Sequence, residues 1–236
     1  PDQFGLLNFL ELSTRQGGSI TGLFSYFNFL IVMRQNCIDV VTGSFPNFTS
    51  QTILENIGST AVNSIATIPK LGVVFATYEG VYLFAGNLEY SDKPQLQKIS
   101  EAISKTWKRV NADQLVRSAG SYSWKTGEYH LYVCVDGSNV PNLGLVFHVE
   151  RMSWTSRLGF PVGCLTTDAA GNLIFGHHTG SDAGSNTKRG LFVITGRRAL
   201  GQLIVDDVPV DQPAPTWAFK SAWLDFGSPL QKKKVL

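Results

Sequence analysis

The stretch "GVVFATYEGVYLFAGN", residues 72 to 87, places the strongest constraint on the fold. Val73, Val74, Phe75 and then Val81, Tyr82, Leu83, Phe84 are strand-forming residues on either side of Tyr78-Glu79-Gly80. The segment therefore predicts two short strands around a tight turn, with Gly80 taking the left-handed conformation of a hairpin. The unit recurs along the chain. "SITGLFSYFNFLIVMRQNCIDVVTGS" predicts strands near 20–24, 29–34 and 37–42, with Asn28 and Gln35-Asn36 supplying the turns. Three more fall in "TAVNSIATIPKLGVVFATYEGVYLFAGN", with a turn around Pro69. "LVRSAGSYSWKTGEYHLYVCVDGS" is a long hairpin with Lys125-Thr126-Gly127 at its tip, and "LGLVFHVERMSWTSRLG" is another. "GCLTTDAAGNLIFGHHTG" turns at Ala170-Gly171-Asn172, "RGLFVITGR" adds a strand, and the last hairpin turns at Asp225-Phe226-Gly227-Ser228-Pro229.

Units of three or four strands repeating every ~40 to 50 residues are written by a β-propeller or a related radial repeat. The expected class is mainly β and propeller-like, with a β-sandwich or barrel of many strands as the alternative. One α-helix is expected to interrupt it over about 94–110, where Leu96, Ile99, Ile103 and Trp107 lie three or four apart on one face. Pro94 or Ser100 would start it and Asn111 would end it, and its apolar stripe would pack on a sheet. A chain of 236 residues, 43% hydrophobic, can bury a sizeable core. No run approaches the ~18 apolar residues of a membrane helix, so a soluble globular protein is expected. The net charge of +2 neither requires nor excludes a nucleic-acid partner. Residues 1–236 read as one propeller-like domain. Pro1 at one end and the strand-like "QKKKVL" at the other predict a fragment cut at both ends. Cys37, Cys134 and Cys164 are odd in number, widely spaced and set in or beside predicted strands, which predicts reduced, buried thiols.

Three successive phrases carry a resemblance to a known family: "ITGLFSYFNFLIVMRQNCIDVVTG", "IGSTAVNSIATIPKLGVVFATYEGVYLFAGN" and "ISEAISKTWKRVNADQLVRSAGSYSWKTGEYHLYVCVDGS". Their order and spacing resemble the tail nozzle proteins, or tail tubular proteins, of short-tailed bacteriophages. In that family a strand like "LIVMRQNCIDVV" precedes a "GS-x-A-x-x-S-I" turn, a "GVVF-x-x-x-EGVY-x-F-x-G" hairpin and a helix beginning near "IS". Nearer the end, "MSWTSRLG" and "AWLDFGSPLQKKKV" resemble the family's "W-x-x-R" strand and "DFG" hairpin. The resemblance runs from about Ile20 to Val235. It implies a structural virion protein, made in the host cytoplasm and built into the tail as a ring, usually six-fold. Its partners would be further copies of itself, adaptor and portal-side tail proteins, tail fibres, and genomic DNA passing through the channel without sequence-specific binding. It implies no enzyme activity, no cofactor and no membrane-spanning segment.

Chemistry-bearing residues read as follows. His177 and His178, with Asp182 nearby, are competent metal ligands, but adjacent residues of a strand point to opposite faces. A polar strand end running into a Gly/Ser/Asn loop is the favoured reading. The loop 179–190 carries Lys188 and Arg189 but no following helix to cradle a phosphate. Asp136, Glu150, Asp168, Asp206, Asp207 and Asp211 are carboxylates of the kind a glycosidase would pair, and as readily turn residues. Cys134 sits in the apolar strand "HLYVCV", Asn47 in "NFTS" reads as a loop residue, and Lys232, Lys233 and Lys234 read as a lysine-protected strand edge. Trp124, Trp154, Trp217 and Trp223 are aromatic candidates for the second function class, a sugar-binding or sugar-cleaving propeller, although blade aromatics more often serve the core. No catalytic, cofactor-binding or metal-binding residue is assigned. Loops at 43–56, 179–190 and 207–216 are expected to supply the ring contacts, and Val74, Phe75, Tyr82, Phe84, Leu131, Val133 and Phe175 the core.

Overall fold

The computed structural model describes residues 10–12, 17–26, 29–44, 47–85, 95–158, 160, 162–177, 191–195, 200–203 and 217–218. They form a mainly β protein of four antiparallel sheets. Sheet one is the meander β1 (Ile20–Tyr26), β2 (Phe29–Arg34), β3 (Cys37–Ser44) and β4 (Asn47–Glu55). Sheet two contains β5 (Ala66–Ile68), β6 (Gly72–Ala76), β7 (Val81–Ala85) and β8 (Gln95–Lys98). Sheet three contains β9 (Ala119–Ser123), β10 (Glu128–Val133), β11 (Leu143–His148) and β12 (Ser153–Arg157). Sheet four contains β13 (Val162–Thr167), β14 (Leu173–His177), β15 (Leu191–Thr195) and β16 (Leu200–Leu203). A short strand, β17 (Trp217–Ala218), pairs with β12 at the edge of sheet three. Within each meander, strands consecutive in the chain are hydrogen-bonded neighbours, and no described sheet closes on itself.

Period-two alternation explains how the sheets meet. In sheet two, Val73, Phe75, Tyr82 and Phe84 point to one face and pack with Ile31, Met33, Ile38 and Val40 of sheet one. Val74, Ala76, Val81 and Leu83 point to the other face and pack with Tyr129, Leu131, Val133, Leu145 and Phe147 of sheet three. Sheet three in turn offers Ala119 and Tyr132 to Val162, Leu173, Phe175, Phe192 and Ile194 of sheet four. The sheets therefore stack face to face in chain order. The residues expected in the core, Val74, Phe75, Tyr82, Phe84, Leu131, Val133 and Phe175, are all buried.

The opening hairpin is β6–β7, with Phe75 opposite Tyr82. Its Gly80 has φ 159°, a backbone conformation that residues with a Cβ rarely adopt, and space is short there as well. A Cβ there would run into the Ser100 hydroxyl and the Lys98 side chain.

The helix expected over about 94–110 is corrected to a single turn, α1 (Ser104–Trp107), preceded by a 3-10 turn over Glu101–Ile103. The segment before it is β8, paired with β7 through Phe84↔Leu96 and Tyr82↔Lys98. Leu96 packs with the sheet one/two cluster, and Ile99, just beyond the strand, enters the sheet two/three cluster. A spacing of three that mimics a helical stripe is thus met by a strand and a turn, because pairing with β7 outweighs local propensity.

Close backbone approach marks the joint between sheets two and three. A Cβ on Gly120 would lie 2.7 Å from the Tyr129 hydroxyl and 2.9 Å from the Ser64 carbonyl oxygen. Gly120→Ala should therefore cost about 1–3 kcal/mol by overpacking. Urea unfolding would measure it, and an unchanged midpoint would mean that the Ser64 turn yields freely.

Candidate functional site

The residues singled out by sequence are dispersed. Asp136 is exposed and paired with Arg109, whose Nε donates to Oδ1 at 2.9 Å, and this hydrogen bond holds the carboxyl below its ordinary value. Asp168 organises the β13–β14 turn. Its Oδ1 accepts from the amides of Ala170 (2.9 Å) and Asn172 (2.7 Å), and Oδ2 accepts from the Asn172 side chain at 2.9 Å. Those bonds hold its carboxyl low as well, Asn172 contributing most. Glu150 is exposed in the β11–β12 turn. His177 ends β14 with its ring 6.0 Å from that of Phe192. Among the described residues, no group of three His, Cys, Asp or Glu could hold a metal ion. His178, Asp182, Lys188, Arg189, Asp206, Asp207, Asp211, Trp223 and Lys232 to Lys234 lie outside the described residues, as do the loops 179–190 and 207–216 and the turn at 225–229.

Several expectations are corrected. Cys37 and Cys134 are free and buried, and burial pushes both thiols up, but Cys164 is exposed. Its strand turns that side chain away from sheet three, since Cys164 is opposite Gly176 while Leu165 pairs with the inward Phe175. Asn47 belongs to a strand, not a loop: residues 47–55 of the expected 43–56 loop are β4, paired with β3 from Ser44↔Asn47 to Cys37↔Glu55. Trp124 is 54% exposed in the β9–β10 turn, whereas Trp154 is partly buried against the sheet two/three cluster.

The densest chemistry lies elsewhere, on the face of sheet three that meets sheet four. Alternation along "EYHLYV" sends Tyr129, Leu131 and Val133 toward sheet two and Glu128, His130 and Tyr132 toward sheet four. His148 lies directly opposite Glu128 on β11, and Arg157 closes the group from β12. Glu128 is 3% exposed, His130 1% and Arg157 5%. One carboxylate serves three partners: His130 Nε2 at 3.2 Å and Arg157 at 3.6 Å on Oε2, and His148 Nδ1 at 3.1 Å on Oε1. The other ring nitrogen of His148, Nε2, lies 3.2 Å from the Thr155 hydroxyl. Burial pushes the Glu128 carboxyl up, but the His130 hydrogen bond and the charges of His130, Arg157 and His148 outweigh it and hold the group below its ordinary value. Burial pushes His130 down, the Glu128 hydrogen bond opposes this, and Arg157 adds to the lowering. Tyr132 is pushed up by burial to about 12.

A cavity of about 50 Å³ adjoins the group, lined in part by Ser123, Glu128, His130, Arg157 and Asn172. A second, open concavity of about 460 Å³ is bordered by Thr21, Thr60, Val62, Tyr78, Asp113 and Val116, with Tyr78 and Asp113 the ionisable ones among the described lining residues.

The phrases quoted from the sequence supply a polar cluster within sheet one and the ties between sheets two and three. Arg34 and Asp39 of "LIVMRQNCIDVV" form a buried ion pair at 3.3 Å, with the Thr52 hydroxyl donating to Asp39 at 2.5 Å. In "GSTAVNSI" the Ser59 hydroxyl accepts from the Ala61 amide at 2.9 Å, and the Ser64 hydroxyl from the Ala76 amide at 2.9 Å. The Tyr129 hydroxyl donates to the Ser64 carbonyl at 2.6 Å, tying sheet three to this turn. Trp154 of "W-x-x-R" donates its indole N–H to the Ile99 carbonyl at 2.7 Å, and Arg157 belongs to the buried group.

Compared with known proteins, the chain matches no family model and no curated protein.

Sequence reasoning missed Glu128, His130, His148 and Arg157. The available signal was the polar half of "EYHLYV", which reads as a solvent face until a fourth sheet covers it.

Proposed function

We propose that this chain is a propeller-like structural protein of a short-tailed bacteriophage tail, part of a ring-shaped nozzle through which genomic DNA passes. The observation that carries this reading is the stack of four-stranded antiparallel meanders in chain order, whose joints are made by residues of the phrases resembling the nozzle family. The first strands of sheets two, three and four also gather together, since β9 touches both β5 and β13. A radial arrangement around an axis brings first strands together in this way. Both ends of the stack carry exposed apolar side chains. Leu23 and Leu30 are exposed on the far face of sheet one, and Leu191 on the far face of sheet four.

In this reading the protein acts by shape, and the buried ionic group serves packing rather than turnover. A closed heterologous ring needs two different complementary surfaces on each protomer. Cryo-electron microscopy of intact particles should place the chain in a ring on the portal axis, and an isolated monomer away from that axis would defeat the proposal. Asp168→Asn, His177→Gln and Cys134→Ser particles should assemble and eject DNA like the wild type. Filled, fully assembled particles of any of these that fail to eject, together with glycan cleavage by the wild type, would favour the hydrolytic alternative.

A further inference from the structure

The joint between sheets three and four differs in kind from the other two. The sheet one/two and two/three interfaces are built from aliphatic and aromatic side chains. The sheet three/four interface sets the ionisable group of Glu128, His130, His148 and Arg157 beside a cavity that Leu173 and Ile194 also line. With both histidines neutral, one carboxylate balances one guanidinium. Each further proton adds a positive charge to a group whose one carboxylate, Glu128, is already shared among three partners. On the sheet four side His177 lies on the face of β14 that carries Phe175 and would add to that charge when protonated, Cys164 of β13 is turned away, and Asp168 is engaged within its own turn. Lys125, at the cavity, is positive and donates to Asn172 at 2.9 Å.

His130 is also reachable. Its Nε2 faces Glu128, so in the neutral ring that nitrogen carries the proton and Nδ1 is a bare acceptor. Nδ1 is buried and has no hydrogen-bond partner among the described residues, and the imidazole lines the 50 Å³ cavity. That space is large enough for water, the carrier by which a proton would arrive without prior unfolding.

We propose that the buried Glu128–His130–His148–Arg157 group is an acid-sensitive joint, through which protonation loosens sheet four from sheet three while sheets one to three stay packed. The sign follows from the histidine. His130 sits below its ordinary value of 6.5 in the folded protein, so its contribution is intact above that pH and is lost as pH falls below it. Glu128, held below its ordinary 4.5, adds a second loss in the same direction at lower pH.

Hydrogen exchange read by mass spectrometry on the full chain tests this, comparing peptides from 162–177 and 191–195 with peptides from 66–85 across the range from neutral to about pH 5. After correction for intrinsic exchange, sheet four peptides should lose protection roughly tenfold or more while sheet two peptides hold. His130→Gln, which still donates to Glu128 but cannot take a proton, should abolish most of that loss. Simultaneous loss in both sheets, or an unchanged loss in His130→Gln, would overturn the proposal. Should His130→Gln fail to fold, an NMR titration of wild-type His130 decides: titration at or above 6.5 sinks the idea, and titration below it together with selective exposure of sheet four sustains it.

Discussion

Phe75→Ala is expected to destabilise the protein by about 3–5 kcal/mol, among the largest effects of any single truncation. Phe75 is 0% exposed on β6 and stacks on Tyr82 across the hairpin at 6.3 Å between ring centroids. It faces Ile31, Met33 and Ile38, so its ring joins sheet one to sheet two. The backbone on both sides is held in ladders, which restricts collapse into the space left behind. Phe75→Leu should recover much of the loss, because it keeps most of the buried apolar area. Urea titration with an unchanged m-value checks both variants. A loss below about 1 kcal/mol for the alanine variant would show that the site relaxes and that the hairpin at 72–87 is peripheral to stability.

How far the fold was legible depended on whether the signal was local. The hairpins at Glu79-Gly80, Lys125-Thr126-Gly127 and Ala170-Gly171-Asn172 were readable because a turn of suitable residues separates two apolar runs. Sheet two was readable as core because its strands are apolar on both faces, the pattern of a sheet covered twice. β4 was missed because Asn47–Glu55, rich in Thr, Ser and Gln, is a mostly exposed strand paired on one side only by β3 and has little apolar alternation to show. β8 was hidden by a chance helical spacing of Leu96 and Ile99. The serine clamps at Ser59 and Ser64 were quotable as a motif but not as hydrogen bonds, since their partners lie in β6 and the Tyr129 strand. The buried ionic group was the least legible feature. Its members come from three strands, and only the stacking of sheet four turns their polar face inward.

Glu128→Gln should cost about 3–5 kcal/mol at neutral pH, because it takes the Glu128 carboxylate away from the buried Arg157 charge. The amide keeps the shape of the side chain, so the loss reads charge rather than volume. It also gives up one of the two oxygens that accept from His130 and His148, which adds to the cost of unsatisfied buried groups. Removing both charges should be far milder: Glu128→Gln combined with Arg157→Met would recover most of the stability, as apolar replacement of a whole buried pair often does. The double-mutant cycle should therefore show strong coupling between positions 128 and 157. The pH profile supplies a readout that packing alone would not move. In the wild type, stability is retained above about pH 6.5 and falls on acidification, first through His130 and then through Glu128. In Glu128→Gln the lower, carboxylate part of that fall should vanish, while the histidine part should begin at no lower a pH than in the wild type, since the neighbouring anion that favours the imidazolium is gone. A cost under about 1 kcal/mol, with an unaltered acid limb, would mean that water solvates the group as it does a surface ion pair.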